Sequence, residues 1–144
     1  MAARELTQRL LAELRSPYEF VVVNFANGDM VWHTGNLAAA MKAVEVVDEC
    51  VGKIVQWIET HGAIGIITAD HGNCERMAHT DGTVLTAHTL LPVPFIVVDP
   101  VRKLRVLSGG RLSDIAPSVL SLWGLKPPGE MTGRSLVVIE SPRA

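Results

Sequence analysis

Cysteine is scarce in this chain. Cys50 and Cys74 are the only two among 144 residues, too few and too unpatterned for a disulfide framework or a zinc ribbon. Neither charge sign dominates: the formal net charge is -2 and the signs are interspersed. No basic stripe for nucleic acid stands out, and no acidic tail either. Long apolar runs are also missing, and none approaches the length that spans a bilayer. The opening residues Met1-Ala-Ala-Arg-Glu pass straight into a polar amphipathic stretch, so a signal peptide is not expected. These absences predict a protein of a reducing, cytoplasmic setting, with neither nucleic acid nor membrane as partner.

What is present suits one globular domain over residues 1–144. Hydrophobic residues make up 48% and charged residues 19%, a balance far from disorder. Residues 4–15 place Leu6, Leu10 and Leu14 four apart, which predicts a short amphipathic helix ended by Ser16-Pro17. The continuous apolar run over 20–23 predicts a strand covered on both faces, and 26–36, rich in Gly, Asn and Asp, predicts a loop. Residues 37–60 predict a long helix. Its apolar face carries Leu37, Met41, Val44, Val47, Val51, Ile54 and Ile58, and His61-Gly62 is its stop.

Residues 63–70 (AIGIITAD) and 93–99 (VPFIVVD) predict two further strands, separated by a polar stretch. Residues 113–123 predict a short helix with Pro117 in its first turn, and 136–139 an edge strand. The order strand, helix, strand, strand, helix predicts an α/β fold with a mostly parallel sheet. Residues 20–69 would form one right-handed crossover unit, with ligand chemistry gathered at the carboxyl ends of its strands.

Those strand ends carry candidate metal ligands. Asp29 and His33 are four apart, as two residues on one face of a helical turn would be. Asp70 and His71 follow the second strand and precede Gly72, and His88 comes just before the third. Any one of these has an ordinary explanation: a capping aspartate, a turn, a satisfied histidine. Three ligand-bearing segments together predict a metal site. Mixed carboxylate and imidazole donors suit Mn²⁺ or Zn²⁺ better than Ca²⁺ or Mg²⁺. His61 is expected to be a favourable charge at a helix end, and His79 and Cys74 part of a solvated loop. Arg111 and Arg134 are expected in surface ion pairs, and Trp57 and Trp123 as core or interface anchors.

Longer motifs then carry a resemblance. NFANGDMVWHTG (24–35), ITADHGN (67–73), TAHT (86–89), VPF (93–95), DIAP (114–117) and EMTGRSL (130–136) occur in this order. Together they closely resemble the C-terminal segment of cofactor-independent (2,3-bisphosphoglycerate-independent) phosphoglycerate mutases, of the alkaline phosphatase superfamily. The resemblance implies part of a three-layer α/β sandwich. It implies one complete manganese site at Asp29, His33 and His88, and half of a second at Asp70 and His71. It also implies interconversion of 3-phosphoglycerate and 2-phosphoglycerate, with the phosphoryl group passing through a serine.

No stretch here matches the family's serine-bearing N-terminal segment or its inserted substrate-gripping domain. Asp81-Gly82 follows no apolar strand, no serine stands beside a ligand, and Thr34, Thr86 and Thr89 are poor nucleophile candidates. No catalytic nucleophile is therefore assigned, and the chain is expected to be inactive by itself. Unpaired sheet edges would call for a homo-oligomer or a chain supplying the N-terminal half. Gly28 and Trp32 depart from the family's usual proline and glycine. Gly28 would loosen the presentation of Asp29, and Trp32 would pack against the helix or narrow the site. The alternatives are a non-catalytic metal-binding remnant or another phosphotransferase or hydrolase of the superfamily.

Overall fold

The computed structural model describes residues 2–140, so Met1 and residues 141–144 lie outside the described residues. The longest periodic segment sets the frame: α3 runs Leu37–His61. Asn36 caps it by accepting the Ala39 N–H on its side-chain oxygen at 3.0 Å, and Gly62 ends it in the left-handed region at φ 66°. At the same end the His61 ring stacks on Trp57 at 4.4 Å and bonds the Trp57 carbonyl through Nδ1.

The helix covers only the later part of the face that its large aliphatics suggest, where Val47, Val51 and Ile54 are half-buried and Ile58 is buried. Ala40, Ala43, Cys50 and Ile58 are the buried positions, while Leu37, Met41 and Val44 are exposed. Small side chains win because α1 (Ala3–Glu13) and α2 (Asn27–Trp32) both pack against α3, and close helix approach favours small residues at the contact. From α1, Ala3 and Thr7 are buried, and Arg4 reaches across to Glu49 at 2.7 Å.

Two predicted elements change type. Within the expected loop 26–36, residues Asn27–Trp32 form α2, although Asn and Gly are poor helix formers. Trp32 explains this, since it is fully buried and repays the helix with apolar contact. Conversely, 20–23 is not a strand: no described segment pairs with it, and Phe20, Val21 and Val22 are exposed. A strand needs a neighbour to satisfy its backbone, so the crossover unit over 20–69 does not form.

The sheets are correspondingly small. Strand β1 (Gly65–Thr68) pairs antiparallel with β2 (Phe95–Val98), and β3 (Leu104–Val106) with β4 (Val137–Ile139). Both pairings among the described residues are antiparallel, which corrects the mostly parallel sheet. The coarser class holds: the fold is mixed α/β. Among the described residues no helix is long and apolar enough to cross a membrane.

Beneath β3–β4 the DIAP and EMTGRSL motifs form a structural knot. A 3₁₀ turn (Leu112–Asp114) leads into α4 (Ile115–Leu122), with Pro117 in its first turn. The Asp114 carboxylate accepts the backbone N–H groups of Arg111 and Arg134, each at 2.8 Å. Ser118, fully buried, donates to the Asp114 carbonyl and accepts the Leu136 N–H. At Gly133 a side chain would collide with the Ser113 carbonyl, which explains glycine in EMTGRSL.

The N–H groups of Arg134 and Arg111 hold the Asp114 carboxyl below its ordinary range. A depressed carboxylate stabilises the fold above its unfolded pKa and loses that contribution as pH falls through the folded value. The melting temperature should therefore fall as pH drops through about 4 and below. In Asp114→Asn, already less stable, that fall should be shallower. Parallel pH profiles would contradict the assignment.

Candidate metal centre

Three segments converge on one carboxylate oxygen. Asp29 sits in the first turn of α2 and His33 is the residue that caps its end, so the four-residue spacing puts both on one face. His71 lies just beyond the end of β1. His88 lies in the loop before β2, brought across by the bridge Gly72↔Thr89, where the Thr89 N–H donates to the Gly72 carbonyl at 3.0 Å.

Around Asp29 Oδ1 stand His88 Nε2 at 3.0 Å, His33 Nε2 at 3.4 Å and His71 Nε2 at 3.8 Å. The Nε2 atoms of His33 and His88 are 3.3 Å apart, and the rings of His71 and His88 stack at 3.7 Å. Asp29, His33 and His88 are grouped tightly enough for one ion. His71 borders them. Asp70 is highly exposed and lies 3.6 Å from His71 Nε2.

The donor set fits a divalent first-row metal. Ligand atoms bonded to one ion at about 2.0–2.2 Å stand about 3.0–3.5 Å apart in octahedral or tetrahedral arrangements, and all three pairs here fall in that range. Ring orientation agrees. His33 Nδ1 lies 3.2 Å from the Thr86 carbonyl, and His71 Nδ1 lies 3.2 Å from the Gly72 carbonyl. A carbonyl can only accept, so in these contacts Nδ1 is the donating nitrogen, and Nε2 faces the cluster as the atom that would ligate a metal. This is the outer support that metal-binding histidines usually have.

Neighbours not singled out as ligands surround the cluster. Asn73 Nδ2 donates to Asp29 Oδ1 at 2.7 Å. Glu75 accepts the Asn73 N–H and the Thr89 hydroxyl. Burial pushes the Glu75 carboxyl up, but the bonds from Thr89 and Asn73 outweigh it and hold the group below its ordinary value. Burial raises the Cys74 thiol, with Glu75 and Asp29 adding to the effect. The thiol donates to Asn73 Oδ1 at 3.0 Å.

Sequence patterns could not flag Asn73 and Glu75, because they act through hydrogen bonds between loops and follow no period. Two of the three threonines are likewise committed: Thr34 donates to the Val31 carbonyl and Thr89 to Glu75. Trp32 packs behind the cluster with its ring 5.1 Å from that of His33 and 6.0 Å from that of His88. It supports the site from inside the fold. Gly28, in α2, accepts the Cys74 thiol at 3.6 Å through its carbonyl. His79 lies in a turn, where its backbone N–H donates to the Thr83 carbonyl and its carbonyl accepts the Gly82 N–H.

Comparison with known proteins agrees with this chemistry. A model of the metalloenzyme superfamily matches residues 1–127. The 2,3-bisphosphoglycerate-independent phosphoglycerate mutase of Pseudomonas paraeruginosa is 49% identical over 142 residues, covering 97% of this chain and 27% of that protein. The namesake from Clostridioides difficile is 52% identical over 140 residues, covering 95% and 28%. That of Rhodopirellula baltica is 51% identical over 142 residues, covering 95% and 26%. The chain thus spans only about a quarter of the length of the curated relatives it matches. Across that span it belongs to the metalloenzyme superfamily, as a segment similar to the 2,3-bisphosphoglycerate-independent phosphoglycerate mutases.

Proposed function

We propose that this chain is the metal-holding C-terminal segment of a cytoplasmic phosphoglycerate mutase that interconverts 3-phosphoglycerate and 2-phosphoglycerate. The observation that carries it is the convergence of Asp29 Oδ1, His33 Nε2 and His88 Nε2 within ion-sharing distance, in a chain about half identical to such enzymes. Manganese is the proposed metal, with zinc the other ion this donor set suits. Bound there, a divalent ion supplies charge stabilisation to a phosphoryl group and acidifies an oxygen nucleophile.

The chain's own residues have distinct parts in this reading. Asp29 brings negative charge that favours a cation, and His33 and His88 bring neutral nitrogen donors. His71, stacked on His88, and Asp70 beside it are the proposed half of a second manganese site. The three-layer sandwich is proposed to be completed by the remaining length of the family. Exposed Phe20, Val21 and Val22 support an association that covers them, with a serine-bearing N-terminal half or a second copy as the partner.

The test is complementation. With Mn²⁺ and 3-phosphoglycerate, the chain alone should give no turnover above background. Adding the remaining portion of the Clostridioides difficile relative should restore 2-phosphoglycerate formation. Robust turnover by the chain alone would contradict the division of labour. A stable, metal-loaded complex without turnover would contradict the proposed reaction.

A further inference from the structure

The turn Gly72-Asn73-Cys74-Glu75 touches every segment that bears a ligand. Forward of the site, Glu75 accepts the Thr89 hydroxyl, and Thr89 is the residue after His88. Backward, Glu75 accepts the Asn73 N–H, which closes the turn on itself two residues after His71. Sideways, the Asn73 carboxamide donates to Asp29 Oδ1 at 2.7 Å, and the Cys74 thiol meets Asn73 Oδ1 and the Gly28 carbonyl beside Asp29. The Thr89 N–H completes the brace on the Gly72 carbonyl at 3.0 Å.

The brace leaves no slack at Gly72. A side chain there would run into the Thr89 hydroxyl and the Glu75 carboxylate, and would lie 3.3 Å from the Leu91 carbonyl. Gly72 is itself buried. The loops carrying His71 and His88 are therefore pressed together at one point and locked by a charged acceptor, and their rings stack at 3.7 Å.

We propose that Glu75 and Asn73 are positioning residues of the metal centre: Glu75 fixes the His88 loop through Thr89, and Asn73 fixes the Asp29 carboxylate. The proposal rests on the metal reading of Asp29, His33 and His88, and is independent of which reaction the whole enzyme performs. A charge-assisted bond from a hydroxyl to a carboxylate is strong, and Thr89, the residue after His88, is the direct link from Glu75 to the His88 loop. Partners beyond the ligands typically set metal affinity by about 10–100-fold.

Titration of the full chain with Mn²⁺, followed by the free-ion resonance signal, tests it. Thr89→Val keeps the shape and removes the donor; Thr89→Ser keeps the donor. Thr89→Val and Asn73→Ala should each weaken binding by about 10–100-fold, while Thr89→Ser should bind like wild type. The visible spectrum of the Co²⁺-loaded chain should shift in Thr89→Val and return in Thr89→Ser, a response that loss of stability alone does not produce. Wild-type affinity in Thr89→Val and Asn73→Ala, together with loss of binding in His88→Ala, would overturn the positioning role and leave the metal centre standing. Absence of binding in wild type would overturn both.

Discussion

His33→Ala combined with His88→Ala should lower Mn²⁺ or Zn²⁺ affinity by more than about 100-fold, since outer partners alone contribute up to that factor. Both substitutions remove neutral nitrogen donors and leave Asp29 as the only remaining member of the trio. One carboxylate on a half-exposed surface binds a divalent ion weakly, because water competes for every other position. The two rings are exposed enough that their loss should leave the fold largely intact: their side chains are 45% and 46% accessible. Calorimetric titration of the double variant beside wild type reads the loss directly. Retained affinity would place the metal elsewhere.

The second large effect concerns Trp32. It is fully buried at the end of α2, and its ring meets His33 edge-on and His88 at a tilt. Trp32→Ala should cost about 3–5 kcal/mol of folding stability, the usual range for deleting a buried large aromatic. The indole Nε1 has no hydrogen-bond partner among the described residues. Trp32→Phe should therefore cost clearly less, because it removes an unpaired polar group while retaining most of the apolar contact. Urea unfolding of the two variants gives the comparison. Equal losses in both would mean that the indole nitrogen is satisfied by water and that the whole ring is needed.

What the sequence made legible follows from which forces are local. Helix α3 could be read because its period, its Asn36 cap and its Gly62 stop all lie within one stretch of chain. The four-residue spacing of Asp29 and His33 was readable for the same reason. Burial is not local. The run 20–23 has the composition of a buried strand, yet whether it is covered depends on a neighbour that the run itself does not encode. The same applies to strand direction: two apolar strands separated by residues 69–94 are compatible with either sense, and here the pair is antiparallel.

The buried face of α3 shows another limit. Hydrophobicity points to Leu37, Met41 and Val44, whereas close approach by α1 and α2 selects Ala40, Ala43 and Cys50. In the site, the ligand types were legible as chemistry. The supports were not: Asn73, Glu75 and the Thr86 carbonyl act through hydrogen bonds between segments distant in sequence. DIAP and EMTGRSL illustrate the converse. They read as family signatures, and in the structure Asp114, Ser118 and Gly133 close a buried knot beneath β3–β4.

The central claim is that Asp29, His33 and His88 hold one divalent ion. Crystals of the chain grown with Mn²⁺, measured at wavelengths on either side of the manganese absorption edge, test it most directly. The account predicts an anomalous peak bonded to Asp29 Oδ1, His33 Nε2 and His88 Nε2, with the Nδ1 atoms of His33 and His71 still on their carbonyls. A peak bonded to other residues, or no peak at saturating manganese, would contradict it.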